Sequence, residues 1–262
     1  MNNQMHELLN TPQFKTDLFI PSYKNLEGSN WRINHMGLGF DHGYFSDVWV
    51  VENMPILSRR SKDDPDKWES WMSICPHELE SQEFCCKCAY GNVVIMGLGM
   101  GWVAINTAMN ETVKKVIVIE LDQEVIDLFN DCGAFYSLKP EVLNKIEIIH
   151  ADAMKWKPED MKIDFLYADI WRSLVEQSTL DDVHQMQNNI KADKIYFWGQ
   201  ELFFFREFHE RDLQENDMTM NFLKSESEKM NLPLLLPEDV DYPELVMQAG
   251  KQRLKRRLPL ER

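Results

Sequence analysis

From Gly91 onward the chain alternates between unbroken apolar runs and segments with helical spacing. Asn92-Val93-Val94-Ile95-Met96 is the first run, continuous enough for a strand buried on both faces. Lys115–Glu120, Ile146–Ile149, Ile163–Ala168 and Lys194–Trp198 follow as further strands. Between them, Gly101–Asn110, Gln123–Asn130 and Thr179–Ile190 carry helical periodicity. Strands alternating with helices at this interval predict a doubly wound, mostly parallel sheet of α/β class.

The flanks read differently. Residues 1–60 are rich in turn formers, with a β-like run at Val48–Val51; Asn53-Met54-Pro55 and Ile56-Leu57 then suggest a hairpin. After Pro65, the positions Trp68, Trp71, Met72 and Cys75 recur at helical spacing, so a helix is expected there, ended by Pro76. A second helix is expected over His77–Tyr90. Past Trp198 the pattern turns helical at Glu201–Leu213, Asp217–Met230 and Pro243–Arg257, with an apolar stretch, Leu232–Pro237, between prolines. The expected organisation is an N-terminal β-hairpin and helix region (1–90), a Rossmann-like core (91–200) and a helical C-terminal extension (201–262).

Composition narrows the functional classes. The 262 residues hold 43 acids against 28 bases, a net charge of −15, which disfavours a nucleic-acid partner because phosphate binding needs a positive footprint. With 44 % apolar residues the chain can bury a core, and no apolar stretch reaches the ~20 residues of a membrane span. Met1–Ile20 lacks the pattern of a secretory signal, and five cysteines suit a reducing compartment better than a disulfide framework, so a cytoplasmic protein is expected. The basic tail, Lys251–Arg262, reads first as a solvated helix end complementing the helix dipole or the acidic body. The oligomeric state is left open, a homodimer included.

In an open α/β sheet a ligand lies beyond the carboxyl ends of the strands. The loop after the first core strand is Gly97-Leu98-Gly99-Met100-Gly101-Trp102, where glycines permit tight turning and close backbone approach. The second strand ends in Glu120, 23 positions after Gly97, where a carboxylate can accept from both hydroxyls of a ribose. The third is followed by Asp152-Ala153, placed for an adenine edge, and the fourth by Asp169. Trp102 stands where a dinucleotide fold keeps its third glycine, which argues against a pyrophosphate and for a cofactor such as S-adenosylmethionine.

These residues, Val93–Gly101 and then Val116–Ile126 with its Glu120-Leu121-Asp122 signature, resemble class I S-adenosylmethionine-dependent methyltransferases, and within them the spermidine-synthase-like branch. The resemblance spans residues 45–200. It implies that Gly97, Leu98, Gly99 and Gly101 line the methionine portion of the cofactor. It further implies that Glu120 holds the ribose, Leu121 packs on adenine, Asp152 and Ala153 bind its edge, and Asp169 acts at the reacting centre. Aminopropyl-transferring relatives carry a second acid three positions after the first. Here that position is Arg172, a cation expected to repel a polyamine. The expected activity is therefore methyl transfer to a small-molecule or protein acceptor that the sequence does not specify. A nucleotide-fold binding or scaffolding protein without turnover is the alternative, and an aminopropyltransferase stands behind both.

Other features have plainer readings beside the functional ones. Asp152 and Asp169 also suit helix N-caps. Cys75, His77, Cys85, Cys86 and Cys88 lack the spacing of common zinc sites and read as buried thiols, so no metal is expected. His35, Asp41 and His42 read as ordinary loop residues or as part of a lid contributing a base. Trp171 and Trp198 are candidates for an acceptor-site wall or for core packing.

Overall fold

The computed structural model describes residues 11–260. The reading of Met1–Ile20 falls half outside that span, as do Glu261 and Arg262 of the basic tail. Eleven strands, β1 to β11, occur among the described residues. The α/β core is a five-stranded, wholly parallel sheet of β7 (Gly91–Met96), β8 (Val113–Glu120), β9 (Ile146–His150), β10 (Phe165–Ala168) and β11 (Lys194–Phe197). Its spatial order is β11-β10-β7-β8-β9. The chain thus runs outward from β7 through β8 to β9, then returns to β10 on the other side. The switch point, where a crevice opens, lies between the ends of β7 and β10. β7 and β10 are buried almost throughout, as continuous apolar runs require; β9, at the edge, is not.

The helices between strands match their periodicity: α2 (Trp102–Met109), α3 (Gln123–Asp131), the short α4 (Pro140–Leu143) and α5 (Thr179–Ile190). Before the core lies α1 (Pro76–Cys88), and after it α6 (Gln200–Glu210), α7 (Met220–Met230) and α8 (Tyr242–Lys255). α6 and α8 approach closely at Gly250, where any Cβ would stand 2.0 Å from the Phe205 ring. The stretch between the prolines lies beside β11 through one bridge, Ile195 to Leu234, covering that edge of the sheet.

The N-terminal region departs from expectation twice. Trp68–Ser73 is not a helix but strand β6, paired antiparallel with β5 (Met54–Arg60). The register passes from Leu57↔Met72 to Ser58↔Ser70, so Trp71 is the extra residue of a bulge. A bulge resets the two-residue alternation and puts Trp71 and Met72, neighbours in sequence, on one side. This imitates the spacing of a helix. The expected hairpin is also repartnered. Val48–Val51 (β4) pairs with β3 (Gly39–His42), while β5 pairs with β2 (Trp31–Met36) and β6. Asn53, left-handed at φ 55, turns the chain from one sheet into the other, and six-residue pairing with β2 outcompetes a local hairpin. With β1 (Leu26–Glu27) the larger sheet has the order β1-β2-β5-β6. It is fastened to the core where Trp31 Nε1 donates to Asp122 Oδ2 (2.7 Å) and Asn30 N donates to Glu124 Oε1 (2.8 Å).

Candidate functional site

A cavity of about 340 Å³ sits over the carboxyl ends of the core sheet, and every one of the five strands contributes to it. Gly97, Leu98 and Gly99 follow β7; Glu120, Leu121 and Asp122 close β8; Asp152 to Met154 follow β9; Asp169 to Trp171 follow β10; Trp198 follows β11. The roof comes from the N-terminal sheet, through Trp31, Leu57, Arg59, Trp71 and Met72, with Glu78 and Gln82 from α1. Its size falls within the ~300–1,000 Å³ typical of small-molecule sites.

The glycine loop owes its shape to three positive φ values, at Gly97 (99°), Gly99 (52°) and Gly101 (70°). Gly97 and Gly99 line the cavity, but Gly101 does not: its Cα lies against the Phe129 ring, which a Cβ would meet at 2.1 Å. Gly101 therefore serves helix–helix packing of the core. Glu120 ties the loop down, since Oε2 accepts from Leu98 N and Oε1 from Asp122 N, both at 2.9 Å. Each oxygen retains a second lone pair. Burial pushes this carboxyl above its ordinary range, against the pull of those N–H donors.

Leu121 is 68 % exposed beside the cavity, and Ala153 is buried in its wall. Asp152 is held low by a hydrogen bond from Lys155; its Oδ1 accepts from Met154 N (2.9 Å), so it closes a turn as well as lining the site. Both indoles at the β10 and β11 ends are anchored by their N–H groups. Trp171 donates to Asp182 Oδ2 and Trp198 to Ser81 Oγ, each at 2.8 Å. Five of the eight tryptophans line the cavity: Trp31, Trp71, Trp102, Trp171 and Trp198.

Asp169 accepts from Gln82 Nε2 (3.1 Å) and from the Tyr167 hydroxyl (3.3 Å). Burial nevertheless raises it from 3.8 to about 7. A carboxyl whose folded pKa exceeds its unfolded one binds protons more tightly in the native state. Its contribution to stability is complete below pH 3.8 and lost as pH rises through about 7. Urea unfolding of Asp169→Asn against wild type should therefore show a stability gap that widens, in favour of the variant, across that window. A gap independent of pH would contradict the burial of the carboxyl.

Two expectations change here, and that of the basic tail does not. Arg172 does not line the cavity: its guanidinium pairs with Glu69 on β6 at 2.8 Å, outside the cavity wall. His35, Asp41 and His42 stay away from the cavity wall; His35 Nδ1 meets Asn25 Oδ1 at 2.6 Å, and Asp41 Oδ1 accepts from His42 N. The basic tail is partly spent on the acidic body, with Lys251 paired to Glu215 and Lys255 to Asp47. All five cysteines are free thiols, and among the described residues no cluster of His, Cys, Asp or Glu is arranged to hold a metal. No helix among them is long and apolar enough to cross a membrane.

Sequence reasoning missed Trp31, Arg59, Trp71, Met72, Glu78, Gln82 and Tyr167, most of them contributed by the N-terminal elements. The one available signal was the density of tryptophan before residue 75.

No family model matches the chain, and no curated protein does. Solved structures that are similar in part include the CcbJ methyltransferase from Streptomyces caelestis, at 18 % identity over 38 % of each chain with a TM-score of 0.30. A dimethyladenosine transferase from Plasmodium falciparum matches at 20 % identity over 42 % of this chain and 36 % of that one, TM-score 0.31. M. capricolum TrmK, in complex with S-adenosyl-homocysteine, matches at 14 % identity over 41 % of this chain and 46 % of that one, TM-score 0.33. Each likeness spans less than half of the solved chain. At these identities and scores the similarity is one of partial fold, and nothing further about this chain follows from it.

Proposed function

We propose that the chain is an S-adenosylmethionine-dependent methyltransferase. The observation that carries this reading is the doubly tethered carboxylate of Glu120, which reaches the cavity between the glycine loop and the end of β8. Its free lone pairs suit the paired hydroxyls of a ribose. The donor and acceptor chemistry of the remaining wall fits the rest of such a cofactor. Leu121 offers apolar surface to a base, Asp152 and Ala153 border its edge, and Gly97 and Gly99 leave backbone bare where side chains would intrude. The cofactor supplies an activated methyl group on a sulfonium.

The protein's own task is then positional. Glu120 and the glycine loop hold one end of the cavity, while Trp171 and Trp198 exclude water at the other. Asp169, which lines the same cavity as both indoles and whose pKa burial raises to about 7, is placed to accept a proton. The antiparallel sheet ahead of the core and the Glu120-Leu121-Asp122 signature favour the spermidine-synthase-like branch. Free thiols throughout favour a reducing, cytoplasmic setting, and the pairing of Lys251 and Lys255 with internal acids speaks against a nucleic-acid partner.

Titration calorimetry with S-adenosylmethionine tests the proposal. Wild type should bind, and Glu120→Ala should bind about 100-fold more weakly, the loss of two charge-assisted hydrogen bonds. Circular dichroism of the variant checks that its fold persists. Equal affinities would remove the ribose assignment. Binding without turnover on any acceptor would favour a scaffolding role.

A further inference from the structure

Carboxyls from Glu78, Glu120, Asp122, Asp152 and Asp169 line the cavity, and against them stands a single basic side chain, Arg59. It comes from β5 in the roof, not from the core sheet. Its guanidinium makes no ion pair or hydrogen bond among the described residues. Glu69 lies opposite it in the β5–β6 ladder, but both oxygens of that carboxylate are engaged elsewhere. Oε1 accepts from Ser61 Oγ (2.7 Å) and Oε2 from Arg172 (2.8 Å). Arg59 lies instead over two indoles, 5.4 Å from the ring centre of Trp31 and 5.8 Å from that of Trp71.

The indoles beneath it are themselves fixed. They meet edge to face at 5.3 Å, and Trp31 Nε1 is held by Asp122. Beside Trp71, Met72 brings the roof down onto the glycine loop, with its Sδ where a Cβ on Gly99 would meet it at 2.3 Å. A guanidinium held by aromatic faces keeps its planar fork of N–H donors for another partner, already ordered. That fork matches a carboxylate or a phosphate through paired hydrogen bonds. A phosphate brings more negative charge than one guanidinium offsets among so many acids. The guest that fits is cationic elsewhere and carries one carboxylate, as an amino-acid tail on a sulfonium does.

We propose that Arg59 determines donor specificity: it binds the carboxylate at the amino-acid end of the cofactor and so selects S-adenosylmethionine over its decarboxylated, aminopropyl-donating form. This rests on the methyltransferase reading and settles which donor that cavity takes. The tail of such a cofactor runs from a ribose at Glu120 toward Asp169. Arg59 is linked to both ends of that path, through Trp31 to Asp122 and through Glu69 and Arg172 to the loop after β10. Charge makes the selection depend on this one residue. The decarboxylated donor has one negative charge fewer, so an acidic wall alone would hold it more tightly. Arg59 inverts that order, offering the carboxylate a partner and leaving the decarboxylated guest beside an uncompensated cation.

Calorimetry of the whole chain with S-adenosylmethionine, its decarboxylated form and 5′-methylthioadenosine, which lacks the tail altogether, tests the assignment. Wild type should bind S-adenosylmethionine about tenfold more tightly than the decarboxylated form. Arg59→Gln should weaken S-adenosylmethionine about tenfold or more and reverse the order of the two donors. Its affinity for 5′-methylthioadenosine should stay within about twofold of wild type, since that ligand offers no carboxylate. Equal or inverted donor affinities in wild type would overturn the assignment, as would a preference that survives in Arg59→Gln. A parallel loss of 5′-methylthioadenosine binding would also overturn it, reducing Arg59 to a packing element of the roof. Wild type that binds S-adenosylmethionine without preferring it defeats only the role of Arg59. Wild type that binds none of the three defeats the methyltransferase reading itself.

Discussion

Replacing Gly97 by alanine should lower cofactor affinity by about 100-fold and destabilise the protein by about 2–4 kcal/mol, from backbone strain and a clash that cannot relax. The residue sits at φ 99°, and an added Cβ would lie 2.1 Å from the carbonyl oxygen of Asp169. That oxygen belongs to backbone, not to a side chain that can swing away. Asp169 N is bonded to Met96 O, and Ala168 pairs with Met96 across the β10–β7 ladder, so the two loops are locked at the switch point. Relief of the clash requires spreading the ends of β7 and β10, which moves Asp169 relative to the glycine loop. Gly37→Ala is the matched control. It has no atom within 4 Å of its would-be Cβ and should cost within ~0.5 kcal/mol. Urea unfolding and calorimetry measure both quantities. Native affinity in Gly97→Ala would show that the loop does not border the ligand.

Glu201→Ala should destabilise the chain by about 3–5 kcal/mol, while Glu201→Gln should lose far less, because buried donors left without an acceptor are costly. Glu201 is fully buried at the start of α6, and three tyrosine hydroxyls converge on it. Tyr242 donates to Oε1 at 2.7 Å, Tyr44 to Oε2 at 3.1 Å, and Tyr196 closes the group on Oε1. The three come from α8, the loop after β3 and β11, so a single carboxyl joins the C-terminal helices and the N-terminal region to the core. Gln200, its neighbour, adds a bond to the Tyr242 hydroxyl at 2.7 Å. Glutamine keeps an acceptor for Tyr196 and Tyr242, whereas alanine strands all three hydroxyls and leaves a void. Chemical denaturation of the two variants separates these cases, and equal losses would mean that the position requires the carboxyl itself, since glutamine preserves both volume and an acceptor.

The parallel core was legible because its evidence is local. A strand buried on both faces must be apolar at every position, as Val93 to Met96 are, and α5 was bounded at Thr179 and Ile190 by its own periodicity. The glycine loop, Glu120, Asp152 and Asp169 followed from the rule that ligands lie at strand ends. Gly101 shows the limit of that inference. A glycine required for packing against Phe129 looks in sequence like one required by a ligand. The N-terminal roof was not legible, because its pairing is decided by non-local competition. Neither the bulge at Trp71 nor the partnership of β5 with β2 leaves a local mark. Glu78 and Gln82 looked like the polar face of an ordinary helix, and only the closeness of α1 to the end of β10 makes them part of a site.

The division of the cavity between two sheets has a mechanical consequence. Its ceiling and its base belong to separate leaves of backbone, connected through α1 and stitched through Trp31, Asp122, Asn30 and Glu124. A guest seated between them acts as mortar, adding its own adhesion to those few stitches. Amide exchange in β2 and β5, which lend Trp31, Leu57 and Arg59 to the ceiling, should accordingly slow on loading. An excised core of residues 91–200 would be a cup without its cover.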